Sequence, residues 1–401
     1  MAKDIKNSCI CPYFKACGGC DYIDLPYEEQ LKLKAKFVNK ELSEVAKAQK
    51  CDIEPIVGAA EPLYYRNKVH SVFARTGRGQ IIRGIYKEDS HEVVNVSGCL
   101  LENRLADAII EEIKRLLPSF KLKIFDEDTG YGWLRHVLVR VGHKKRLKND
   151  MAFVQDVMVV LVTSEVMFPG KNNFIKALRT SFPQVSTIVQ NINAKKTSMV
   201  LGERNIVLYG KGYIEDDSLG LRFRISPSSF FQINTAQTIK LYDLALKMAG
   251  LTGKETVLDA YCGTGTIGMF MSSNAKEVVG VELNADAVRD ARNNAKGNGI
   301  SNISFVNADS TKYLTAYADN PKAGRIDCLC MDPPRSGSTE EFIHATSALS
   351  IPKVVYVSCN PTTLARDLKV FVKDGYRIKR IVPVDMFPAT KHVETVCLLT
   401  K

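Results

Sequence analysis

From Thr256 onward the chain alternates short apolar runs with helical segments. Near-continuous apolar runs are typical of strands covered on both faces, and their alternation with helices predicts a doubly wound parallel sheet. We expect five such strands and a final pair, at 256–259, 278–282, 303–306, 326–331 and 354–358, then at 379–386 and 393–400. Ligands of open parallel sheets bind outside the carboxyl ends of the strands, so we expect the functional site along that edge.

The residues before this sheet follow an α+β pattern. Helices are predicted at 30–49, 101–117 and 171–181; short strands and turns are predicted within 53–96, and longer strands at 134–142, 154–163, 185–191 and 205–214. The expected fold class is therefore α/β, with a Rossmann-like C-terminal domain and a mostly antiparallel α+β region before it. We expect three regions: a cysteine-rich start at 1–100, a central α+β domain at 101–226, and the sheet domain at 227–401.

The ends of the first three predicted sheet strands suit a nucleotide-like ligand. A glycine turn around Gly263 follows the first strand and lets the backbone approach a ligand closely. Glu282 ends the second strand and can accept hydrogen bonds from ribose hydroxyls, while Asp309 ends the third and can meet an adenine amino group. The turn lacks the spacing that binds a pyrophosphate. This favours S-adenosylmethionine over a dinucleotide, and both over a purely structural turn.

The next strand ends carry groups suited to covalent catalysis. Asp332 ends the fourth strand and Cys359 ends the fifth; Glu394 lies where the chain enters the last strand, and it reaches the same edge if its loop folds over that edge. Addition of a thiolate to carbon 6 of uracil makes carbon 5 nucleophilic, and a base must later remove the carbon 5 proton. A lone cysteine at a strand end is more often a small buried hydrophobe, but the neighbouring cofactor site favours a nucleophile. We therefore predict Cys359 as nucleophile and Glu394 as base.

The segments Asp332-Pro-Pro-Arg, Ser358-Cys-Asn-Pro and His392-Val-Glu-Thr resemble, as a set, those of the bacterial 5-methyluridine RNA methyltransferases. The resemblance is greatest to the iron–sulfur-containing 23S ribosomal RNA uracil-5 enzymes and runs from Cys11 to the C-terminus. It implies a class I S-adenosylmethionine methyltransferase domain, with Cys359 and Glu394 in the roles given above. It also implies a set of cofactor-binding residues: Gln232, Tyr261, Gly263, Glu282, Asp309 and Asp332.

Eleven cysteines in a chain without a secretion signal suggest metal ligation or catalysis for some of them, and not disulfides. Cys11, Cys17 and Cys20 lie close together in sequence, and Cys99 follows at a distance. Four thiolates can hold zinc or a [4Fe–4S] cluster, and their spacing does not decide between the two. The resemblance implies a [4Fe–4S] cluster on these four cysteines, with a structural or RNA-organising role; Cys9 is a competing ligand.

The formal net charge of +11 suits a polyanionic partner, although a solvated basic surface explains it equally well. Interleaved aromatic and basic residues that suit single-stranded or looped RNA occur at 64–68, at Arg75, Arg78 and Arg83, and at 143–148. No apolar run is long enough to span a membrane, so we expect a cytoplasmic protein, and we expect a monomer. Many relatives carry an N-terminal β-barrel for RNA binding, which we expect to be missing here.

Three alternatives stay open. Within the resemblance, 23S ribosomal RNA is favoured and transfer RNA is the alternative substrate. An enzyme that methylates an exocyclic amine of adenine or cytosine also uses an Asp-Pro-Pro segment, but it needs no thiol and usually has an aromatic residue where this chain has Arg335. The alternative of another class is a non-catalytic iron–sulfur protein that binds RNA.

Overall fold

The computed structural model describes residues 11–145 and 152–401, so Cys9 and residues 146–148 of the basic run lie outside the described part. The chain forms two compact units. The N-terminal unit runs up to Asp24 and continues through Glu61–Ser228 and Ile233–Thr235; the C-terminal unit contains Leu25–Ala60, Ser229–Gln232 and Ala236–Lys401. Within the described ranges, no helix is both long and apolar enough to cross a membrane.

The helices are α1 Phe14–Cys17, α2 Tyr27–Ala48, α3 Arg104–Ser119, α4 Lys171–Ser181, α5 Thr235–Ala249, α6 Thr266–Ser272, α7 Ala285–Gly297, α8 Ser310–Ala318, α9 Glu340–Ala348 and α10 Pro361–Lys373. The strands are β1 Lys68–Arg75, β2 Ile81–Tyr86, β3 Val93–Asn95, β4 Leu134–Lys145, β5 Phe153–Thr163, β6 Val185–Ile192, β7 Arg204–Tyr209, β8 Ile214–Asp216, β9 Phe223–Ile225, β10 Thr256–Ala260, β11 Glu277–Glu282, β12 Ile303–Asn307, β13 Cys328–Met331, β14 Lys353–Ser358, β15 Arg377–Val384 and β16 Glu394–Thr400.

The N-terminal unit is built on a seven-stranded sheet of order β3-β2-β1-β4-β5-β6-β7. Its neighbouring strands are antiparallel except β5 and β6, which confirms the mostly antiparallel prediction. Helices α3 and α4 supply apolar side chains to the core on one face, among them Ile109, Ile113 and Phe174. The single strand predicted at 205–214 is wrong: Gly210 and Gly212 have positive φ angles of 76° and 78°, and the turn they form separates β7 from β8.

The C-terminal unit is built on a second seven-stranded sheet, of order β12-β11-β10-β13-β14-β16-β15. The five strands β10 to β14 are parallel, and β16 is antiparallel to both of its neighbours. All four residues of β13 are buried, as expected for a central strand. The predicted doubly wound sheet with two final strands is confirmed. The structure adds that these two strands are antiparallel to each other, and it adds α5, which the sequence patterns had not assigned.

The sequence patterns assigned residues 25–60 to the first region, whereas the structure places them in the C-terminal unit. The apolar face of α2, with Val38 and Leu42, is part of the same buried core as strand β14 and helix α10. After α2, isolated parallel bridges join Ile53 to Ile381 and Val57 to Val384 at the edge of the sheet. The helix lies here because its apolar stripe is buried against the C-terminal core.

Candidate active site

The turn after β10 brings three strand ends together. Gly263 and Gly265 have φ angles of 56° and 75°, a region that favours glycine. A Cβ atom at Gly265 would lie 2.5 Å from the ring of Phe305, so the turn has no room for a side chain there. The backbone N–H of Tyr261 donates to the Ser310 hydroxyl at 3.2 Å, and that of Cys262 donates to the Val281 carbonyl at 3.0 Å. These bonds connect the turn to the end of β11 and to the start of α8, which follows β12.

Glu282 is held against this turn by its own carboxylate. The backbone N–H of Gly263 donates to Oε2 at 3.0 Å, and the backbone N–H of Asn284 donates to Oε1 at 2.7 Å. Each carboxylate oxygen has a further lone pair, so both can still accept a hydrogen bond from a ligand. Asp309 follows β12 and caps α8 by accepting the Lys312 N–H at 2.9 Å. The structure therefore brings Gly263, Glu282 and Asp309 to one edge of the sheet.

The segment that carries Gln232 lies against the same turn. The Thr264 hydroxyl donates to the Phe230 carbonyl at 3.3 Å, which joins the two segments. Phe231 and Gln232 are buried, whereas the ring of Phe230 is 66% exposed. Gln232 therefore lies near the glycine turn, although it precedes Tyr261 by 29 positions in the sequence.

Strand pairing brings the predicted nucleophile to the predicted base. Antiparallel pairing of β14 with β16 sets Ser358 opposite Thr395, so Cys359 and Glu394 are adjacent at the end of the pair. Asp332 follows the neighbouring parallel strand β13 at the same edge. The side chain of Cys359 is part-exposed, while Glu394 is buried. A thiol open to a substrate therefore lies beside a carboxyl group shielded from water.

The electrostatics of these groups follow from burial and from their proximity. Burial, then the charges of Glu394 and Asp332, raise the pKa of Cys359 to about 11, and Arg335 opposes this shift. Burial and the charge of Asp332 raise the pKa of Glu394 to about 8, again opposed by Arg335. Burial raises the pKa of Asp332 to about 7. The edge therefore holds a thiol that is protonated near neutral pH and two carboxyl groups that change their protonation state in that range.

Three further residues border this edge and were not predicted as site residues. The guanidinium of Arg335 lies 3.1 Å from Nδ1 of His392, and its backbone carbonyl accepts hydrogen bonds from Asn360 and Thr363. Tyr242, on the unassigned helix α5, is buried, and its pKa is raised by burial and then by the charges of Asp332, Asp259 and Glu394. Arg335 and His392 lie inside the quoted motifs, which is the signal that could have identified them. Tyr242 gave no such signal.

Asn360 begins helix α10 directly after strand β14, which leaves Cys359 between the two elements. Its side chain caps α10 by accepting the Thr362 N–H at 3.1 Å, and Pro361 occupies the first turn, where no N–H is needed. The chain therefore passes directly from strand to helix, and Cys359 lies at the bend.

The four predicted cluster cysteines lie together in the N-terminal unit. Burial raises the pKa of Cys20 to about 12; Arg66 opposes the shift, and the charges of Cys99, Cys17 and Cys11 add to it. All four side chains are partly exposed. Among residues 11–145 and 152–401, no three His, Cys, Asp or Glu side chains have the spacing expected around a metal ion.

The candidate RNA-binding residues divide into two groups. Arg75 and Arg78 are exposed at the hairpin between β1 and β2. Arg83 is buried, and its guanidinium pairs with Asp107 at 2.7 Å and Glu111 at 3.0 Å. The suggestion that Arg83 contacts RNA is therefore not supported, because its charge is already matched inside the unit.

A doubly wound sheet with a glycine turn and two acidic strand ends at its carboxyl edge suits a cofactor that carries ribose hydroxyls and an adenine but no pyrophosphate, and S-adenosylmethionine, the cofactor of a large class of methyltransferases, has these features. The family model described as tRNA (Uracil-5-)-methyltransferase matches residues 152–401. The chain belongs to this family of RNA (uracil-5-)-methyltransferases. The predictions of an S-adenosylmethionine-dependent enzyme and of an RNA substrate are confirmed.

Individual relatives agree with this assignment. An uncharacterized RNA methyltransferase of Clostridium acetobutylicum is 41% identical over 394 residues, which is 98% of this chain and 83% of the relative. One of Halalkalibacterium halodurans is 40% identical over 390 residues, 97% of this chain and 82% of the relative. Among solved structures, the chain is similar to the Pyrococcus abyssi tRNA (uracil-54, C5)-methyltransferase in complex with S-adenosyl-L-homocysteine. The two sequences are 28% identical, the TM-score is 0.76, and the match covers 96% of this chain and 86% of that chain.

Proposed function

We propose that this enzyme methylates carbon 5 of a uridine in 23S ribosomal RNA by covalent catalysis, with Cys359 as nucleophile and Glu394 as base. The observation that carries the proposal is the adjacency of Cys359 and Glu394 at the edge that also holds Asp332 and the glycine turn. A thiol at a strand end without a base beside it would support only a structural role.

The steps balance with these groups alone on the protein side. The thiol of Cys359 gives up its proton to water, and the thiolate forms a bond to carbon 6, which moves the electrons of the carbon 5–carbon 6 double bond into an enolate. S-adenosylmethionine would supply the methyl group: carbon 5 of the enolate forms a bond to the methyl carbon, the bond from that carbon to the sulfonium sulfur breaks, and S-adenosylhomocysteine is the leaving group. The carboxylate of Glu394 then removes the carbon 5 proton; the double bond reforms, and the bond from carbon 6 to sulfur breaks, releasing Cys359.

Arg335 favours the charged forms that these steps need. Its cation opposes the rise in pKa at both Cys359 and Glu394. Since the raised pKa values leave the thiol protonated and the carboxyl partly protonated near neutral pH, a nearby cation increases the fraction of each group that can react.

The cofactor residues are proposed to be Gln232, Tyr261, Gly263, Glu282, Asp309 and Asp332. Support comes from Glu282, whose carboxylate is oriented by two backbone N–H groups and keeps lone pairs for ribose hydroxyls. Tyr261 adds an aromatic ring at the turn, with its hydroxyl 3.4 Å from that of Ser338.

Cys11, Cys17, Cys20 and Cys99 are proposed to hold a [4Fe–4S] cluster. The charges of Cys99, Cys17 and Cys11 all raise the pKa of Cys20, and this proximity supports a common site. Sulfur atoms at the corners of a cluster lie farther apart than those around one zinc ion, for which the zinc–sulfur distance is roughly 2.3 Å. The cluster would join the segment around α1 to the start of α3.

The choice of ribosomal RNA rests on the cysteine set, and transfer RNA remains the alternative because the Pyrococcus abyssi relative is a tRNA methyltransferase. The N-terminal unit is the proposed RNA-binding part, and its exposed Arg75 and Arg78 suit phosphate contacts. We also propose that the protein is a cytoplasmic monomer. Mapping 5-methyluridine in ribosomal and transfer RNA from a deletion strain decides between the substrates.

Trapping with RNA that contains 5-fluorouridine tests the covalent mechanism. Glu394 cannot remove fluorine from carbon 5, so the adduct between Cys359 and carbon 6 should persist after denaturation. Cys359→Ala should abolish both adduct and methylation, while Cys51→Ala, a part-exposed cysteine away from the edge, should retain both. Methylation of adenine or cytosine without an adduct would favour an amino-methyltransferase, and absence of any transfer would favour a binding protein.

A further inference from the structure

Lys34, in the middle of α2, is a fully buried cation. The side chains of Lys34 and Asp385 both have 0% exposure, and Nζ lies 2.5 Å from Oδ1. The same ammonium donates to the carbonyl of Phe387 at 3.0 Å and to that of His392 at 2.8 Å. An ammonium has three hydrogens, and these three acceptors lie in one stretch of chain.

That stretch, residues 385–393, joins β15 to β16 and is named here the 385–393 loop. Asp385 also accepts the Tyr27 hydroxyl at 2.8 Å, and its backbone carbonyl accepts Nε2 of Gln237 at 2.9 Å. Farther along, the N–H of Ala389 donates to Oε1 of Gln30 at 2.8 Å. Side chains of α2 and α5 therefore fix the conformation of this loop at several points.

The 385–393 loop leads directly into the proposed base. Glu394 is the first residue of β16 and follows the loop without a break. The loop also carries His392, whose ring contacts the guanidinium of Arg335. Since Lys34 binds the carbonyl of His392, one buried side chain holds both the start of β16 and the contact with Arg335.

A buried ion pair is a poor way to gain stability alone, because an apolar pair of similar volume often stabilises a fold as well or better. Its benefit is a defined geometry. Hydrogen bonds from one ammonium to three oxygens of the loop set the position of the backbone, whereas an apolar side chain would leave it freer to shift. Proton transfer depends on such placement: a displacement of about 1 Å can reduce a rate roughly 100-fold.

We propose that Lys34, paired with Asp385, is a positioning residue for Glu394, which it aligns with carbon 5 of the bound uracil through the 385–393 loop. The inference rests on the proposed roles of Cys359 and Glu394. It predicts a selective effect: loss of Lys34 slows removal of the carbon 5 proton and leaves addition of Cys359 and methyl transfer largely intact. The methylated covalent adduct should then accumulate on ordinary uridine.

The test uses the full-length enzyme and RNA tritiated at carbon 5 of uridine. Lys34→Met should release tritium roughly 100-fold more slowly than wild type and should accumulate a denaturation-resistant protein–RNA adduct that contains the transferred methyl group. Lys40→Met, on the same helix but with a side chain 79% exposed, should behave as wild type. A merely structural role would reduce adduct and product together.

Lys34→Met can destabilise the protein because it leaves Asp385 buried without its cation, so the double variant Lys34→Met/Asp385→Asn is measured beside it, with thermal unfolding of each. A folded double variant that shows the adduct and slow tritium release supports the proposal. A folded one with wild-type release overturns it, as does unfolding of both variants, which would make the pair a requirement of the fold. Full activity of Cys359→Ala would instead show that the proposed function has failed.

Discussion

Ser358 lies directly opposite Thr395 across strands β14 and β16, and this one pair sets Cys359 beside Glu394. The two residues are separated by a helix, a strand and a loop in the chain. Because β16 runs antiparallel to β14, the start of one strand meets the end of the other. A parallel β16 would have carried Glu394 to the opposite edge of the sheet, far from the thiol.

Replacement of Glu394 by Gln should separate the two halves of the reaction. The amide keeps the size of the side chain but cannot accept the carbon 5 proton, so turnover should fall by about 100- to 10,000-fold while a methylated adduct accumulates. Gel electrophoresis under denaturing conditions, with methyl-labelled cofactor, measures both. Glu341→Gln, on the exposed first turn of α9, is the matched control. Rapid turnover by Glu394→Gln would mean that another group is the base.

The pH dependence of the proton-removal step follows from the raised pKa of Glu394. The residue acts as a base only when ionised, so the rate of tritium release from the preformed adduct should rise as pH increases through about 8. Single-turnover measurements between pH 6 and pH 9 check this, on the order-of-magnitude expectation of tenfold per unit below the pKa. A rate independent of pH across this range would exclude Glu394 as the titrating base.

The same pKa shift predicts a pH dependence of stability. A carboxyl group whose pKa is raised on folding binds its proton more tightly in the folded state, so its contribution to stability is complete below the unfolded pKa and is lost as pH rises through about 8. Glu394→Gln does not titrate. Its free energy of unfolding relative to wild type should therefore increase with pH by at most roughly 1.4 kcal/mol per unit. Urea unfolding at several pH values measures it, and an opposite slope would contradict burial as the cause.

Replacement of Glu282 by Gln should weaken cofactor binding. The amide loses charge-assisted hydrogen bonds to ribose hydroxyls, and one of the two backbone N–H groups now bonded to the carboxylate faces a donor. A loss of about 2 kcal/mol, or roughly 30-fold in Kd, is expected for S-adenosylmethionine by isothermal titration calorimetry. Glu277→Gln, exposed at the start of the same strand, should bind normally. Equal affinities for the two variants would remove Glu282 from the cofactor site.

A pair of glycine substitutions tests the shape of the turn. Gly265→Ala places a Cβ atom 2.5 Å from the ring of Phe305, and Gly253→Ala meets nothing within 4 Å, although both positions have positive φ angles. Both variants carry the backbone strain, so their difference reports the clash, at about 1–3 kcal/mol in the free energy of unfolding. Calorimetry should also show weaker cofactor binding for Gly265→Ala alone. Equal effects on both measurements would mean that Phe305 moves aside at little cost.

The residues at the ends of the sheet strands could be predicted from the sequence, but the side-chain contact that holds the loop before Glu394 could not. Strands β10 to β14 follow from local apolar runs, and the residues at their ends share an edge because parallel strands do. The contact between Lys34 and Asp385 joins side chains 351 positions apart and leaves no local pattern. Residues 25–60 were misplaced for the same reason: an amphipathic helix shows that it has a buried face, but not which sheet covers that face.

The cysteine cluster gives the last prediction. If Cys20 is a ligand of a [4Fe–4S] cluster, Cys20→Ser should reduce the iron and acid-labile sulfide that copurify anaerobically, since the hydroxyl is a weaker ligand for iron than the thiolate. Cys51→Ser, a part-exposed cysteine of the C-terminal unit, should keep wild-type amounts of both. Iron, sulfide and zinc are measured together. Stoichiometric zinc without sulfide in the wild-type protein would replace the cluster by a single-ion site. The cysteines would then have to move closer together than they lie here, because no described set has the spacing of one ion.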